Sequence, residues 1–230
     1  MRPKEIFVRE PVSEEILGLI AQGLEQGLLT EEAVVYVSDS VFEKLSEERA
    51  PEGVITVLDF LGELHRVDDA ELPDPCEKIL ILESVRDPGN LGTIMRSCAA
   101  LGIDRLVLSS DCAERYNPKT VRSAMGALFR LPTLEVSAEH LPVWIEHLRK
   151  TGRRVYATAL RRDAVLVGSF SMRAEDCFVI GNEGHGLSEA VIGACDGCAL
   201  IPMREGNESL NAAAAASICI WETVRPSGTN

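Results

Sequence analysis

Apolar residues recur along this chain with two different periods. Residues 12–28 carry Val12, Ile16, Leu19, Ile20 and Leu24 at helical spacing on one face, with Ser13 placed to cap the helix. Ala33–Val37 and Gly53–Leu58 read as short strands, and the charged stretch Ser40–Glu48 between them reads as a helix. The acidic, proline-containing Asp68–Pro75 then interrupts both periods and predicts a linker. Beyond it, Ile79–Leu82 is a continuous apolar run, suited to a strand covered on both faces. A helix follows from Asn90 to about Leu101. Strands are predicted at Arg105–Ser109, Thr133–Val136, Arg154–Thr158, Cys177–Ile180 and Cys198–Ile201. Further helices are predicted at Pro142–Lys150, Ser188–Ala194 and Leu210–Val224. This alternation predicts an α/β domain with a mainly parallel sheet, whose ligands collect at the carboxyl ends of the strands.

Composition changes this picture little. The 230 residues are 46% hydrophobic and 26% charged, as in ordinary folded domains. The weakly polar run Asn211–Trp221 is too short to cross a bilayer, and the glutamates of the first twenty residues argue against a signal peptide. The odd and dispersed Cys76, Cys98, Cys112, Cys177, Cys195, Cys198 and Cys219 read as reduced thiols, most of them buried, in a cytoplasmic protein. Cys195-Asp-Gly-Cys198 lacks a second ligand pair, so no metal site is expected.

Charge changes it more. The net charge of -13 alone argues against a nucleic-acid partner. Yet residues 1–75 hold 18 acidic and 6 basic side chains, net -12, and residues 76–230 hold 18 and 17, net -1. The larger part carries local basic clusters: Arg115, Lys119 and Arg122; Arg149, Lys150, Arg153 and Arg154; Arg161 and Arg162. Such clusters serve phosphate contacts or simply form solvated helix faces.

Three segments at strand-to-helix junctions hold the candidate chemistry. In Asp87-Pro-Gly-Asn-Leu-Gly-Thr-Ile-Met-Arg96, Pro88 and Gly89 make a turn and Asn90 is a candidate cap. Leu91, Ile94, Met95 and Cys98 form a buried stripe, and Arg96 falls beside it. In Gly181-Asn-Glu-Gly-His-Gly186, glycines let backbone amides approach a ligand, but the order G-x-x-G-x-G is not the dinucleotide fingerprint. Ile201-Pro-Met-Arg-Glu-Gly-Asn-Glu-Ser-Leu-Asn211 leads into an alanine-rich helix with Ser209 as a candidate cap. Close packing explains that helix's alanines. It does not explain Ser209-Leu210-Asn211.

In this order the three segments resemble the signature motifs of the SpoU (TrmH-like) family of SPOUT methyltransferases, over roughly residues 78–225. Lys119-Thr-Val-Arg-Ser-Ala-Met-Gly126 resembles the stretch between the first two motifs, and residues 1–70 more loosely resemble the small α/β substrate-binding domain that often precedes the catalytic one. The resemblance implies a SPOUT α/β fold with a carboxyl-terminal trefoil knot over residues 78–230, preceded by that small domain at 1–70 and a linker at 71–77. It implies an S-adenosylmethionine-dependent RNA 2′-O-ribose methyltransferase, without metal, working as a homodimer through the knot region. Thr158, Gly181, Asn182, Ile201, Leu210 and Asn211 would hold the methyl donor. Asn90, Arg96, Glu183, Ser209 and Asn211 would form the catalytic set, and Arg115, Lys119 and Arg122 would contact RNA. The RNA would be ribosomal or transfer RNA, with the two-domain layout favouring ribosomal RNA.

A ribose hydroxyl must lose a proton as it attacks, and a guanidinium stays protonated in proteins. Arg96 is therefore read as electrostatic, clamping a phosphate and stabilising the developing alkoxide. A knotted RNA-binding assembly protein without catalysis is the rival reading, and the intact set of candidate residues counts against it. A nucleotide-dependent oxidoreductase lacks the early glycine fingerprint.

Overall fold

Alternate burial along β1 (Glu5–Arg9), where Ile6 and Val8 turn inward, builds a strand that the residue pattern left unassigned. The computed structural model describes residues 2–46, 48, 50–60, 66–67, 72–204 and 209–225. The chain divides into two compact units, Met1–Glu63 and Leu64–Asn230.

In the first unit Ser13 accepts a hydrogen bond from the Ile16 amide and opens helix α1 (Glu14–Glu25). Ile20 of α1 packs on Ile6 and Val8, with Val12, Ile16 and Leu24 at the margin of that core. Leu19 does not share the face; it is 61% exposed. Strand β2 (Val34–Val37), helix α2 (Asp39–Leu45) and strand β3 (Val54–Val57) follow. β1 lies between β2, which it pairs in parallel, and β3, which it pairs antiparallel.

The second unit is one eight-stranded sheet in which every pairing is parallel. Its elements are β4 (Arg66–Val67), β5 (Ile79–Leu82), α3 (Pro88–Leu101), β6 (Arg105–Ser109), α4 (Pro118–Ala124), β7 (Thr133–Val136), α5 (Leu141–Lys150), β8 (Val155–Thr158), β9 (Val165–Leu166), β10 (Cys177–Ile180), α6 (Glu189–Ala194), β11 (Gly197–Leu200) and α7 (Ala212–Val224). The two-residue strands β4 and β9 and the helix α4 were not apparent from periodicity. The predicted linker falls partly on residues 68–71, which lie outside the described residues. Leu72 packs against the sheet's core, and Arg153 donates to the carbonyls of Asp74 and Pro75.

All four residues of β5 and of β10 are buried, because helices cover both sheet faces. Ile79, Ile81, Val155, Ala157, Cys177 and Val179 pack on Trp144, Ile145 and Leu148 of α5 and Val191 and Ala194 of α6. Their alternate neighbours point to the other face. There α3 lies between α4 and α7.

The strand order is β4-β7-β6-β5-β10-β8-β11-β9. From β5 the chain runs outward through β6 and β7, then returns to place β10 directly beside β5. The order therefore reverses between β5 and β10, and a crevice opens beyond the carboxyl ends of strands at such a point.

The cysteines carry no disulfide; Cys98, Cys177, Cys195, Cys198 and Cys219 are buried, whereas Cys76 is exposed. Burial pushes the Cys195 thiol up to about 12, which keeps it protonated and a poor metal ligand at neutral pH. Among the described residues no group of three or more His, Cys, Asp or Glu side chains is placed to hold a metal ion, and no helix is long and apolar enough to cross a membrane.

Candidate active site

Two caps differ from the sequence reading. Asp87, not Asn90, caps α3 by accepting from the Asn90 amide at 2.8 Å, which frees the Asn90 side chain. The Lys119 ammonium, 2.8 Å away, and that amide hold the Asp87 carboxyl below its ordinary value. Likewise Asn211, not Ser209, caps α7, its Oδ1 accepting from the amides of Ala213 and Ala214. In α3 the proline at the first helical position, Pro88, sets the earlier start.

These caps decide where the free side-chain atoms point. Asn90 Nδ2 donates to Glu183 Oε1 at 2.9 Å, and Asn211 Nδ2 donates to Asn90 Oδ1 at 2.9 Å. One residue from each of the three segments, 93 and 121 positions apart from Asn90, thus enters a single hydrogen-bonded chain. Among the described residues no hydrogen bond reaches Glu183 Oε2, which leaves a carboxylate oxygen open to accept from a ligand hydroxyl.

Glu183 also lines a cavity of about 510 Å³. Its wall includes Thr158 at the end of β8, Gly181 and Asn182 after β10, Ile201 after β11, and Ser209 and Leu210 before α7. Residues 205–208 of the third segment lie outside the described residues. Gly181 is required there: a Cβ would stand 2.5 Å from the Gly186 carbonyl carbon and 2.6 Å from the Leu187 nitrogen. The loop it opens folds back on itself, with Asn182 and Gly186 exchanging two backbone hydrogen bonds of 3.0 Å. The Asn182 side chain fixes the loop's tip by accepting from the amides of Gly184 and His185. The Thr158 hydroxyl is engaged inward, donating to the Val179 carbonyl.

Arg96 is not part of the hydrogen-bonded chain. On α3, residues 90 and 97 share one side and residues 92 and 96 another. Ser97 meets Ser217 of α7, whereas a Cβ on Gly92 would strike the Thr120 carbonyl of α4 at 2.4 Å. Arg96 therefore stands on the α4 side of α3, exposed, and among the described residues it has no hydrogen bond or ion pair.

The basic clusters separate into two kinds. Arg153 is buried and donates to backbone carbonyls, Arg154 pairs with Asp176, and Arg149 pairs with Asp196 and donates to the Ala194 carbonyl. The three arginines of that cluster are structural, their guanidiniums satisfying loop carbonyls and carboxylates while Arg149 and Arg154 stay partly exposed; Lys150 is exposed. Arg161 pairs with Glu189 at the cavity wall. Arg115 is also buried, its guanidinium 4.7 Å from the Tyr116 ring centre, while Lys119 and Arg122 sit on the exposed side of α4. The sequence reading missed Ser84 and Asp111, which hold the cavity loop from behind. Their cause is a backbone conformation, for which a serine carries no signal.

The profile of the SpoU rRNA Methylase family matches residues 77–221. The 23S rRNA (guanosine(2553)-2'-O)-methyltransferase RlmP of Bacillus subtilis is 30% identical over 218 residues, covering 95% of this chain and 79% of that protein. The 23S rRNA (uridine(2479)-2'-O)-methyltransferase of Streptomyces viridochromogenes is 33% identical, over 84% of this chain and 67% of that protein. The SpoU methyltransferase AviRb from the same organism, solved in complex with the cofactor AdoMet, is similar in structure with a TM-score of 0.76 and 26% identity. That match covers 96% of this chain and 82% of the AviRb chain.

Proposed function

Because the chain belongs to the SpoU rRNA methylase family, we propose that it transfers a methyl group from S-adenosylmethionine to a ribose 2′-hydroxyl, in ribosomal RNA rather than transfer RNA. The observation that carries this reading is the hydrogen-bonded chain Glu183–Asn90–Asn211, which reaches the cavity through Glu183. An assembly protein without catalysis would have no use for three polar side chains held together beside a ligand cavity. Preference for ribosomal RNA rests on the two relatives named above, both 23S rRNA methyltransferases by name.

The residues present fit the donor. A cavity of about 510 Å³ lies in the size range of small-molecule sites. Gly181, which tolerates no Cβ, and the small Ala199, Ala212 and Ala215 let the wall approach a flat ligand through its backbone. Thr158, Gly181, Asn182, Ile201, Leu210 and Asn211 would hold the donor, which supplies an electrophilic sulfonium methyl when bound. Glu183 Oε2 is open to accept from a ligand hydroxyl, and Asn90 holds the other carboxylate oxygen in register. Arg96 stabilises negative charge on the attacking oxygen and clamps an adjacent phosphate. Ser209 and Asn211 border the donor and complete the catalytic set. Lys119 and Arg122 on α4 supply further phosphate contacts, and Arg115, being buried, does not face RNA directly.

The active form is a homodimer in the cytoplasm. The outer face of α7 carries Ile218 and Trp221, the latter 56% exposed, while its small face is buried, which suits a second copy. The carboxyl-terminal segment forms the family's trefoil knot, and the first unit selects the target RNA.

Two measurements test the reading together. Mapping 2′-O-methyl sites in total RNA with and without the gene should lose one ribosomal RNA site; an unchanged map, or a loss confined to transfer RNA, contradicts it. Calorimetry should detect S-adenosylmethionine binding in the presence of a chelator, since amides and small side chains supply the site; loss of binding on metal removal would overturn that account.

A further inference from the structure

Ser84, two residues after β5, has a φ of 56°, in the left-handed region that a side chain rarely occupies. A glycine would sit there without strain. The serine is held by groups from two other strand ends. Its amide donates to Ser109 Oγ at 2.8 Å, and its hydroxyl donates to Asp111 Oδ2 at 2.5 Å. Its carbonyl accepts from Asn182 Nδ2 at 2.8 Å. The other Asp111 oxygen accepts from Ser109 Oγ at 2.6 Å, and Arg86 lies 3.6 Å from Oδ2. Burial raises the Asp111 carboxyl, but the hydrogen bonds from Ser109 and Ser84 outweigh burial and hold it below its ordinary value, so it stays ionised at neutral pH.

The consequence runs forward into the cavity. With Nδ2 committed to the Ser84 carbonyl, Asn182 must present Oδ1 to the loop, where it accepts from Gly184 and His185. The direction of the Ser84 carbonyl therefore sets the rotamer of Asn182, and Asn182 sets the shape of the loop that carries Glu183. None of Ser84, Ser109 or Asp111 lines the cavity.

We propose that Ser84 and Asp111 are positioning residues for the methyl-donor loop: Asp111 anchors the Ser84 hydroxyl, which keeps the Ser84 carbonyl aimed at Asn182 against the backbone's preference. This rests on the donor reading above. It separates two serine replacements that would behave alike if the hydroxyl alone mattered. Ser84→Ala removes the anchor and keeps the Cβ, so the backbone relaxes and Asn182 loses its partner. Ser84→Gly removes the anchor and the strain together, so the carbonyl keeps its aim.

The test is S-adenosylmethionine binding by calorimetry to the full chain and to Ser84→Ala, Ser84→Gly, Asp111→Asn and the double variant Ser84→Gly/Asp111→Asn. Ser84→Ala and Asp111→Asn should each weaken binding about tenfold, which is about 1.4 kcal/mol. Ser84→Gly should stay within about threefold of the parent, and should restore Asp111→Asn to that level, since glycine has no left-handed penalty to relieve. In steady state, Asp111→Asn should raise KM for the donor with kcat within about twofold, the signature of lost uniform binding. Donor binding by Ser84→Ala at parental strength, or a glycine variant that fails to rescue Asp111→Asn, would overturn the proposal. Should Ser84→Ala fail to fold in a thermal melt, Asp111→Asn and its rescue carry the decision alone. A parent that does not bind the donor overturns the proposed function instead, which keeps the two failures apart.

Discussion

Replacing Arg96 with alanine should lower the single-turnover rate by about two to three orders of magnitude, the cost of losing one donor to charge that grows in the transition state. Donor affinity should stay nearly unchanged, because Arg96 stands on the α4 side of α3 and does not line the cavity. RNA affinity should fall only modestly, by the weight of one phosphate contact. Arg96→Lys keeps the charge and loses the planar fork, so it should recover part of the loss. The pH dependence separates electrostatics from proton abstraction. Lysine side chains ionise at lower pH than arginine side chains, so a base role would shift the pH–rate profile of the lysine variant. An electrostatic Arg96 keeps the profile's shape and lowers its height. Single-turnover methylation across a pH series decides this, and a large shift in the lysine variant would mean that Arg96 takes the proton.

Asp176→Ala should destabilise the second unit by about 3 kcal/mol and lower Tm by roughly 6–12 °C. The Asp176 side chain is fully buried and accepts from both Arg154 and Arg173 as well as from their two backbone amides. Alanine leaves those amides and two guanidiniums without their acceptor. The guanidiniums are partly exposed and can turn to water, which keeps the cost at the lower end for a broken buried pair. Burial raises the Asp176 carboxyl, but the hydrogen bonds from Arg154 and Arg173 outweigh it, and the folded value lies below the ordinary 3.8. Its stabilisation is therefore complete above pH 3.8 and is lost as pH falls through the lower folded value. Thermal melts should show the gap between parent and variant constant near neutrality and closing only in strong acid. A gap that closes above pH 5 would contradict the assignment, whereas donor affinity should not change, since Asp176 precedes β10 and the cavity lies beyond its far end.

Where one side of an element is covered along its whole length, the residue pattern located it well. β5 and β10 were legible as unbroken apolar runs, and Leu91, Ile94, Met95 and Cys98 of α3 are all buried as their spacing indicated. Leu19 was assigned to the buried face of α1 and stands exposed, because three short strands offer too little surface to cover a stripe that wide. β1, β4 and β9 were not seen: pairing with neighbours distant in sequence makes them strands, two-residue β4 and β9 carry no period, and β1 has charged residues at both ends instead of an unbroken apolar run. The caps moved by three residues, from Asn90 to Asp87, and by two, from Ser209 to Asn211, and those shifts matter most for chemistry. A cap uses one side-chain oxygen, so moving it from Asn90 to Asp87 is what leaves Asn90 free for Glu183.

The three segments, their order and the residue types in them are properties of the sequence, and they sufficed to identify the family and to nominate Asn90, Glu183 and Asn211. That these three residues touch was decided by tertiary structure, because β10 returns to lie beside β5 and carries its loop to the start of α3. The same packing turned Arg96 away from them, buried Arg115 and gave the cluster around Arg153 to loop carbonyls. It also put Ser84 into a left-handed conformation. Local sequence determines which face an element can bury and which polar groups it carries. Which carbonyl, carboxylate or amide meets each of those groups depends on strands paired across about a hundred residues, and only the assembled sheet sets that register.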